Sequence, residues 1–277
     1  VSSAADVLIV GAGIAGCEAA WRCAQAGLEV VLVTTNLDTV YNLASPAAQL
    51  RPPSDSLMER AVRGGEPSTG GVRSWDLHRS AKYALEATPA IHLLQSTVSD
   101  LLRDERGAVI GVRTWEGIDR PALTTALCVG SFLRARLRAG AVTETHGRLS
   151  EMAYDDLYER LVQLGFEFVP VSFTGQPFGG SLEYVVQTVA FAPSERRAAA
   201  PASAGGSTGA AGAAGAAAAA VSGTASAALW RVPGLFAAGA CASAPVQGAT
   251  AAAVTYEEAA LQGMALGDEI VAVRAAL

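Results

Sequence analysis

Four apolar positions, Val7-Leu8-Ile9-Val10, run directly into Gly11-Ala12-Gly13-Ile14-Ala15-Gly16 and then into the Ala-rich stretch Cys17-Glu18-Ala19-Ala20. That succession predicts a strand, a tight turn and a helix. A second apolar run over 29–33 predicts the next strand. Residues 39–71 are rich in Pro, Ser and Gly and read as loop, with a short helix around 57–62. From Trp75 the apolar positions Leu77, Ala81, Ala84 and Leu85 follow helical spacing, and Pro89 ends that helix. A short strand is expected at 91–94. Three β-like runs follow at 97–102, 108–114 and 122–129, joined by polar turns, and predict a meander. A helix is expected over 152–164, with Leu157, Leu161 and Leu164 on one face, then strands at 166–171 and 184–191. Residues 198–228 are almost entirely Ala, Gly, Ser and Thr. They bury little against an ordering cost of about 1–2 kcal/mol per residue, so a mobile surface insertion is expected. A buried strand at 235–239 and a closing helix over 255–276 complete the pattern, with Glu257 and Glu258 where a helix dipole favours acids.

Composition narrows the picture. The chain has 277 residues, 51% of them hydrophobic, which suits one large domain or one domain with a smaller insertion. Its formal net charge of −6 argues against a dedicated nucleic-acid binder. No run of strongly apolar residues reaches membrane-spanning length, and no signal or lipidation pattern is present, so no membrane association is expected. Cys17, Cys23, Cys128 and Cys241 show neither C-x-x-C nor disulfide-framework spacing, which points to a reducing cytoplasm. The His and Cys positions lack metal-ligand spacing, so no metal site is expected.

The chemistry lies in the first turn. Gly11 permits the sharp bend, Gly13 lets phosphates approach the backbone, and Gly16 lets the helix pack on the strand. The helix start at Ile14 and Ala15 presents unpaired N–H groups and the positive dipole end, a site for a dinucleotide pyrophosphate. An NAD-binding unit usually carries an acid at the end of its second strand. Here that place reads Thr34-Thr35-Asn36, which weakens a plain NAD-dehydrogenase reading. The meander resembles that of FAD-binding domains of the glutathione-reductase type.

Several ordered blocks resemble the glucose-inhibited division protein A (GidA, or MnmG) family, flavoproteins of tRNA wobble-uridine modification. They are Gly11 to Ala20; Asn36-Leu37-Asp38-Thr39; Ala84 to Pro89 leading into 95–101; Val129-Gly130-Ser131-Phe132-Leu133; Gly147-Arg148; Thr174-Gly175-Gln176-Pro177; Gly234 to Gly239; and Tyr256 to Gly263. The resemblance implies an α/β fold: a Rossmann-like FAD-binding domain with a parallel central sheet, a three-stranded meander and a small inserted segment. It divides the chain into an FAD-binding domain (1–133 and 229–277), an inserted subdomain (134–197) and the Ala/Gly-rich insertion (198–228). It implies FAD as cofactor, with Gly11, Gly13, Ile14, Ala15 and Gly16 at the pyrophosphate and Thr34, Thr35 and Asn36 by the adenosine ribose. Val98 is implied at adenine, Gly130 among the cofactor-binding residues, Gly239 and Ala240 at the ribityl–phosphate arm, and Thr255 and Tyr256 at the flavin pyrimidine end. NADH or NADPH would be the reductant. A small-molecule or protein redox partner is implied, tRNA more weakly, and self-association stays open.

The departures are specific. Family members are longer and carry a helical C-terminal domain for tRNA. The family's cysteine, in a Cys-Asn-Pro segment, is replaced in Leu43-Ala44-Ser45-Pro46 by Ser45, and an unactivated serine is a weak nucleophile. Ala240 stands where many flavin folds have Asp. No catalytic residue is assigned. Cys241 reads as packing rather than as a redox partner of the flavin, and Cys17 and Cys23 read as core. His78 and His92 read as packing or surface residues, and Asp38 as a loop-bonding acid. The alternating Arg134, Arg136 and Arg138 read as a solvated face, with phosphate or RNA as the sharper alternative. Two functions follow: an FAD-dependent oxidoreductase, or a non-catalytic flavin-binding or accessory protein in tRNA modification. An NAD-only dehydrogenase is a third, and a colourless protein would favour it.

Overall fold

The computed structural model describes residues 4–43, 45, 47–64, 71–148, 151–178, 182–195, 227–229, 232–243 and 254–276. The expected insertion therefore lies outside the described residues, except for its last two positions.

The first strand, β1 (Ala5–Val10), shows why its sequence is apolar without alternation. Val7 and Ile9 face one hydrophobic cluster, Leu8 and Val10 another, and all four are fully buried. Each such side chain contributes about 1.5–3 kcal/mol by leaving water. Helix α1 (Ile14–Gln25) follows, then β2 (Val30–Thr34), parallel to β1. The stretch expected as loop holds a two-residue strand, β3 (Ala47–Ala48), and helix α2 (Leu57–Arg63). β3 pairs with β4 (Val72–Arg73), just before α3 (Ser74–Glu86). That pairing is too short to leave a hydrophobic period.

Next come β5 (Ile91–Gln95) and the meander β6 (Val98–Arg103), β7 (Val109–Thr114) and β8 (Asp119–Leu127). β8 ends the meander and enters the main sheet parallel to β1. The inserted region contains β9 (Arg136–Ala139), β10 (Val142–Glu144), the hairpin β11 (His146–Arg148) and β12 (Glu151–Met152), helix α4 (Asp155–Gln163), β13 (Phe168–Phe178) and β14 (Leu182–Phe191). The chain returns through β15 (Ala227–Ala228), β16 (Leu235–Ala237) and the long helix α5 (Tyr256–Ala275).

Among the described residues the main sheet has eight strands, ordered β15-β16-β8-β1-β2-β5, with β7 on β8 and β6 on β7. The run from β16 to β5 is parallel, as the Rossmann-like reading requires. β15 and the meander are antiparallel additions, so the complete sheet is mixed. Helices α1, α2, α3 and α5 cover one face and bury Cys17, Met58, Leu77 and Leu266 there. The meander and α4 cover the other, with Leu101, Val112, Leu157 and Leu161. The second sheet, β10-β9-β14-β13, is antiparallel. Its region is joined to the main core through α4, which Arg160 pins to Asp100 of β6 at 2.7 Å.

The helix expected over 152–164 starts three residues later. Glu151 and Met152 belong to the hairpin, and Tyr154 has ψ 69° with its N–H donated to the Phe132 carbonyl. Met152 is 52% exposed, and the buried face of the helix is carried by Leu157 and Leu161. No helix among the described residues is long and apolar enough to cross a membrane.

Candidate functional site

The turn after β1 is built from the backbone. Gly11 has φ +103° and donates its N–H to the Val33 carbonyl at 2.7 Å, while Cys128 donates its N–H to Val10 at 2.7 Å. The ends of β1, β2 and β8 therefore meet at one point. The three glycines are not equivalent. A Cβ on Gly11 would stand 2.3 Å from the Cys128 carbonyl oxygen, and one on Gly16 1.9 Å from that of Gly11. A Cβ on Gly13 would meet nothing within 4 Å. Gly13 is the residue before α1, which has no side-chain cap and no acid in its first turn. The helix thus starts with its N–H groups uncovered by side chains.

A cleft opens there. Gly11, Gly13, Thr34, Thr35 and Gly130, all singled out from the sequence, line it together with Ala12, Cys128 and Val129. Ile14, Ala15 and Gly16 form the first turn of α1 behind it. Asn36 does not line the cleft; its Oδ1 accepts the Asp38 N–H at 2.8 Å and caps a short 3-10 turn. The loop-bonding side chain is therefore that of Asn36 rather than that of the exposed Asp38. Val98 is buried and borders a neighbouring hollow with Thr97, Trp115 and Tyr154; Tyr154 is common to both spaces. Gly239, at φ +78°, comes close to the Ala15 side chain; a Cβ there would be 3.3 Å from it. Ala240 begins the 3-10 turn that follows. Thr255 and Tyr256 open α5, where Thr255 and Glu258 form a reciprocal cap. The Tyr256 hydroxyl lies 3.2 Å from Ser45 Oγ and links that loop to the helix. Of these, Gly239 approaches the turn through Ala15, and Val98, Gly239, Ala240, Thr255 and Tyr256 do not line its cleft.

Four further residues line the cleft: Thr39, Phe132, Glu151 and Tyr154. Thr39 and Phe132 sit inside segments quoted above, but Glu151 and Tyr154 carried no local signal. A Cβ on Gly147 would fall 2.2 Å from the Phe132 ring, so that glycine lets the ring lie against the hairpin. Burial and the neighbouring Glu151 carboxylate push the Tyr154 hydroxyl above its ordinary range.

The thiols are protected. Cys17, Cys23, Cys128 and Cys241 are all buried and free. Burial pushes Cys241 up to about 12 and Cys128 well above the ordinary thiol range. Cys241 Sγ is held at 3.3 Å from the Ala238 carbonyl oxygen, at a strand end. His78 is buried, with Nδ1 2.6 Å from the Val40 carbonyl oxygen, and His92 is exposed on β5. The arginine stripe is broken. Arg136 pairs with Asp155 at 3.0 Å, Arg134 leaves the strand at φ +48° and lies over the Tyr158 ring, and Arg138 is exposed. Among the described residues no three His, Cys, Asp or Glu side chains converge as a metal site would require.

Comparison with known proteins gives this geometry its context. A GidA-related protein from Thermus thermophilus is 34% identical, with a TM-score of 0.75, covering 98% of this chain and all (100%) of that one. Aquifex aeolicus GidA shares the fold at 15% identity, with a TM-score of 0.68, over 97% of this chain and 63% of that one. The enzyme named tRNA uridine 5-carboxymethylaminomethyl modification enzyme MnmG is 32% identical in Chlamydia caviae, over 62% of this chain and 32% of the relative. Its Cytophaga hutchinsonii counterpart is 34% identical, over 65% and 33%. The chain thus spans about a third of the length of these curated relatives. The sequence model described as Glucose inhibited division protein A matches residues 6–66 and 69–177, well over half of the chain, with the first glycine turn, the meander and the hairpin all inside the match; the chain belongs to that family.

Proposed function

We propose that this chain binds FAD noncovalently and serves as an FAD-dependent oxidoreductase that accepts reducing equivalents from NADH or NADPH. The observation that carries the reading is the difference among the glycines. Gly11 and Gly16 are required by contacts within the chain, but the missing side chain of Gly13 faces open space at an uncovered helix start. A pyrophosphate fits that cradle, since the backbone there offers N–H donors and a positive dipole end. Family membership and the meander support FAD over other dinucleotides. FAD, when bound, supplies a two-electron carrier. The protein's own part is to hold the pyrophosphate at Gly13, Ile14 and Ala15, to place Thr34 and Thr35 beside the ribose, and to keep its buried thiols protonated.

The accessory reading has support of its own. All four thiols are buried, and Ser45, held between Tyr256 and the Ala47 carbonyl, offers no thiolate. A residual role in tRNA modification through a partner, not by this chain alone, belongs to the same proposal, and Arg134, Arg136 and Arg138 are the first residues to test for RNA. One experiment separates the readings: an absorption spectrum of the purified protein, with FAD added, before and after anaerobic NADH or NADPH. Oxidised flavin that bleaches rapidly supports the oxidoreductase. Bound flavin that neither nucleotide reduces supports the accessory protein. Failure to bind FAD overturns both.

A further inference from the structure

In most dinucleotide-binding folds the second strand ends on an acid that holds the adenosine ribose hydroxyls. Here β2 ends Thr34-Thr35-Asn36, and hydroxyls and an amide cannot supply the same charge. A carboxylate nevertheless reaches that place. Glu151, on β12, is 8% exposed and lines the same cleft as Gly13, Thr34 and Thr35. Thr39, five residues past the end of β2, has its Oγ1 3.5 Å from Glu151 Oε2 and 3.3 Å from the Asn36 carbonyl oxygen, and its single proton is shared between the two acceptors. The hairpin that carries Glu151 is held over the strand ends. Phe132 fits against Gly147 on one arm, and the Tyr154 N–H bonds the Phe132 carbonyl just beyond the other.

We propose that Glu151 is the ribose-recognising acid of this cleft. Its carboxylate accepts hydrogen bonds from the 2′ and 3′ hydroxyls of the adenosine ribose of a bound dinucleotide, doing from a distant hairpin what β2 does elsewhere. The inference rests on the dinucleotide reading above. Two carboxylate oxygens match a vicinal diol, and burial removes the water that would compete for them. A 2′-phosphate offers a carboxylate no hydroxyl proton at that position, so the cleft selects adenosine whose 2′-hydroxyl is free.

The test uses the full chain, stripped of nucleotide, as wild type and as Glu151→Gln, with calorimetric titration of FAD, ADP, 2′-deoxy-ADP and adenosine 2′,5′-bisphosphate. The wild type should prefer ADP to 2′-deoxy-ADP by about tenfold or more, the usual cost of losing a charge-assisted hydrogen bond, and should reject the bisphosphate. In Glu151→Gln, FAD and ADP should weaken by about tenfold, while 2′-deoxy-ADP, which keeps only the 3′ contact, should weaken by a smaller factor of about threefold. A merely structural role would instead weaken ADP and 2′-deoxy-ADP by equal factors, and that result overturns the proposal. Lack of discrimination by the wild type overturns it without reference to any variant. A wild type that binds neither FAD nor ADP removes the dinucleotide reading itself, whereas discrimination that persists in Glu151→Gln removes only the role of Glu151.

Discussion

A methyl group on Gly16 would press into the Gly11 carbonyl, whereas one on Gly13 would project into the cleft. Gly16→Ala should therefore cost about 1–3 kcal/mol of stability through overpacking. Gly13→Val should fold with stability within about 1 kcal/mol of wild type yet lose FAD. Thermal melts and flavin titration of the two variants check both halves. Gly13→Val that keeps full affinity would remove the pyrophosphate assignment. Glu18 makes the converse point, because a polar residue there is structural. It is fully buried, and its carboxylate accepts the Leu57 and Met58 N–H groups at 2.8 Å and the Tyr41 hydroxyl. Glu18→Ala should cost about 2–5 kcal/mol by leaving those donors unpaired. Burial raises the Glu18 pKa against the pull of these donors. The folded state thus binds this proton more tightly than the unfolded state does. That contribution is complete below the ordinary carboxylate range and is lost as pH rises through the raised value. Urea unfolding of wild type and Glu18→Ala at a series of pH values should show the gap narrowing from acid toward neutral; a gap that widens would contradict the shift.

Helices α1 and α5 touch through glycines four residues apart. A Cβ on Gly263 would stand 2.2 Å from the Ala15 carbonyl oxygen, and one on Gly267 2.5 Å from Arg22 Cβ. Ala15 belongs to the turn behind the cleft, and Arg22 lies two turns further along, paired with Asp268 at 2.7 Å. Both Gly263→Ala and Gly267→Ala should lower stability by about 1–3 kcal/mol, but only Gly263→Ala should also weaken FAD binding. Equal affinities in the two variants, read by flavin fluorescence, would show that the helix contact does not reach the site. Elements of this length were legible because their periodicity is local. The Gly11–Gly16 turn, α3, the meander and α5 all announce themselves within a few residues. The β3–β4 pair and the split between β12 and α4 did not, because two-residue ladders leave no period and Tyr154 is held out of the helix by the distant Phe132 carbonyl. Glu151 was missed for the same reason. Its partner Thr39 is 112 residues away, and no spacing records that approach.

At the scale of the molecule, the cleft is a junction of β1, β2, β8 and the β11–β12 hairpin. A ligand held at such a junction stabilises all of them at once. FAD at one hundred times its Kd should add about 2.7 kcal/mol, or roughly 5–10 °C in melting temperature. Scanning calorimetry with FAD, against FMN as a control lacking the adenosine, checks this, and an equal shift with both would argue that the adenosine half makes no contact. The same architecture governs how the protein comes into being. Arg22 and Asp268 are 246 residues apart in the chain, yet α1 and α5 share a face lined by Ala15, Ala19, Gly263 and Gly267. On the ribosome, α1 and its glycine turn emerge before α5 and wait with that face in water while the meander and β16 are made. Contacts of such long range slow folding and expose apolar surface in the interval. The Gly11–Gly16 turn is thus made well before the helix that seals it, and its closure waits on the far end of the fold.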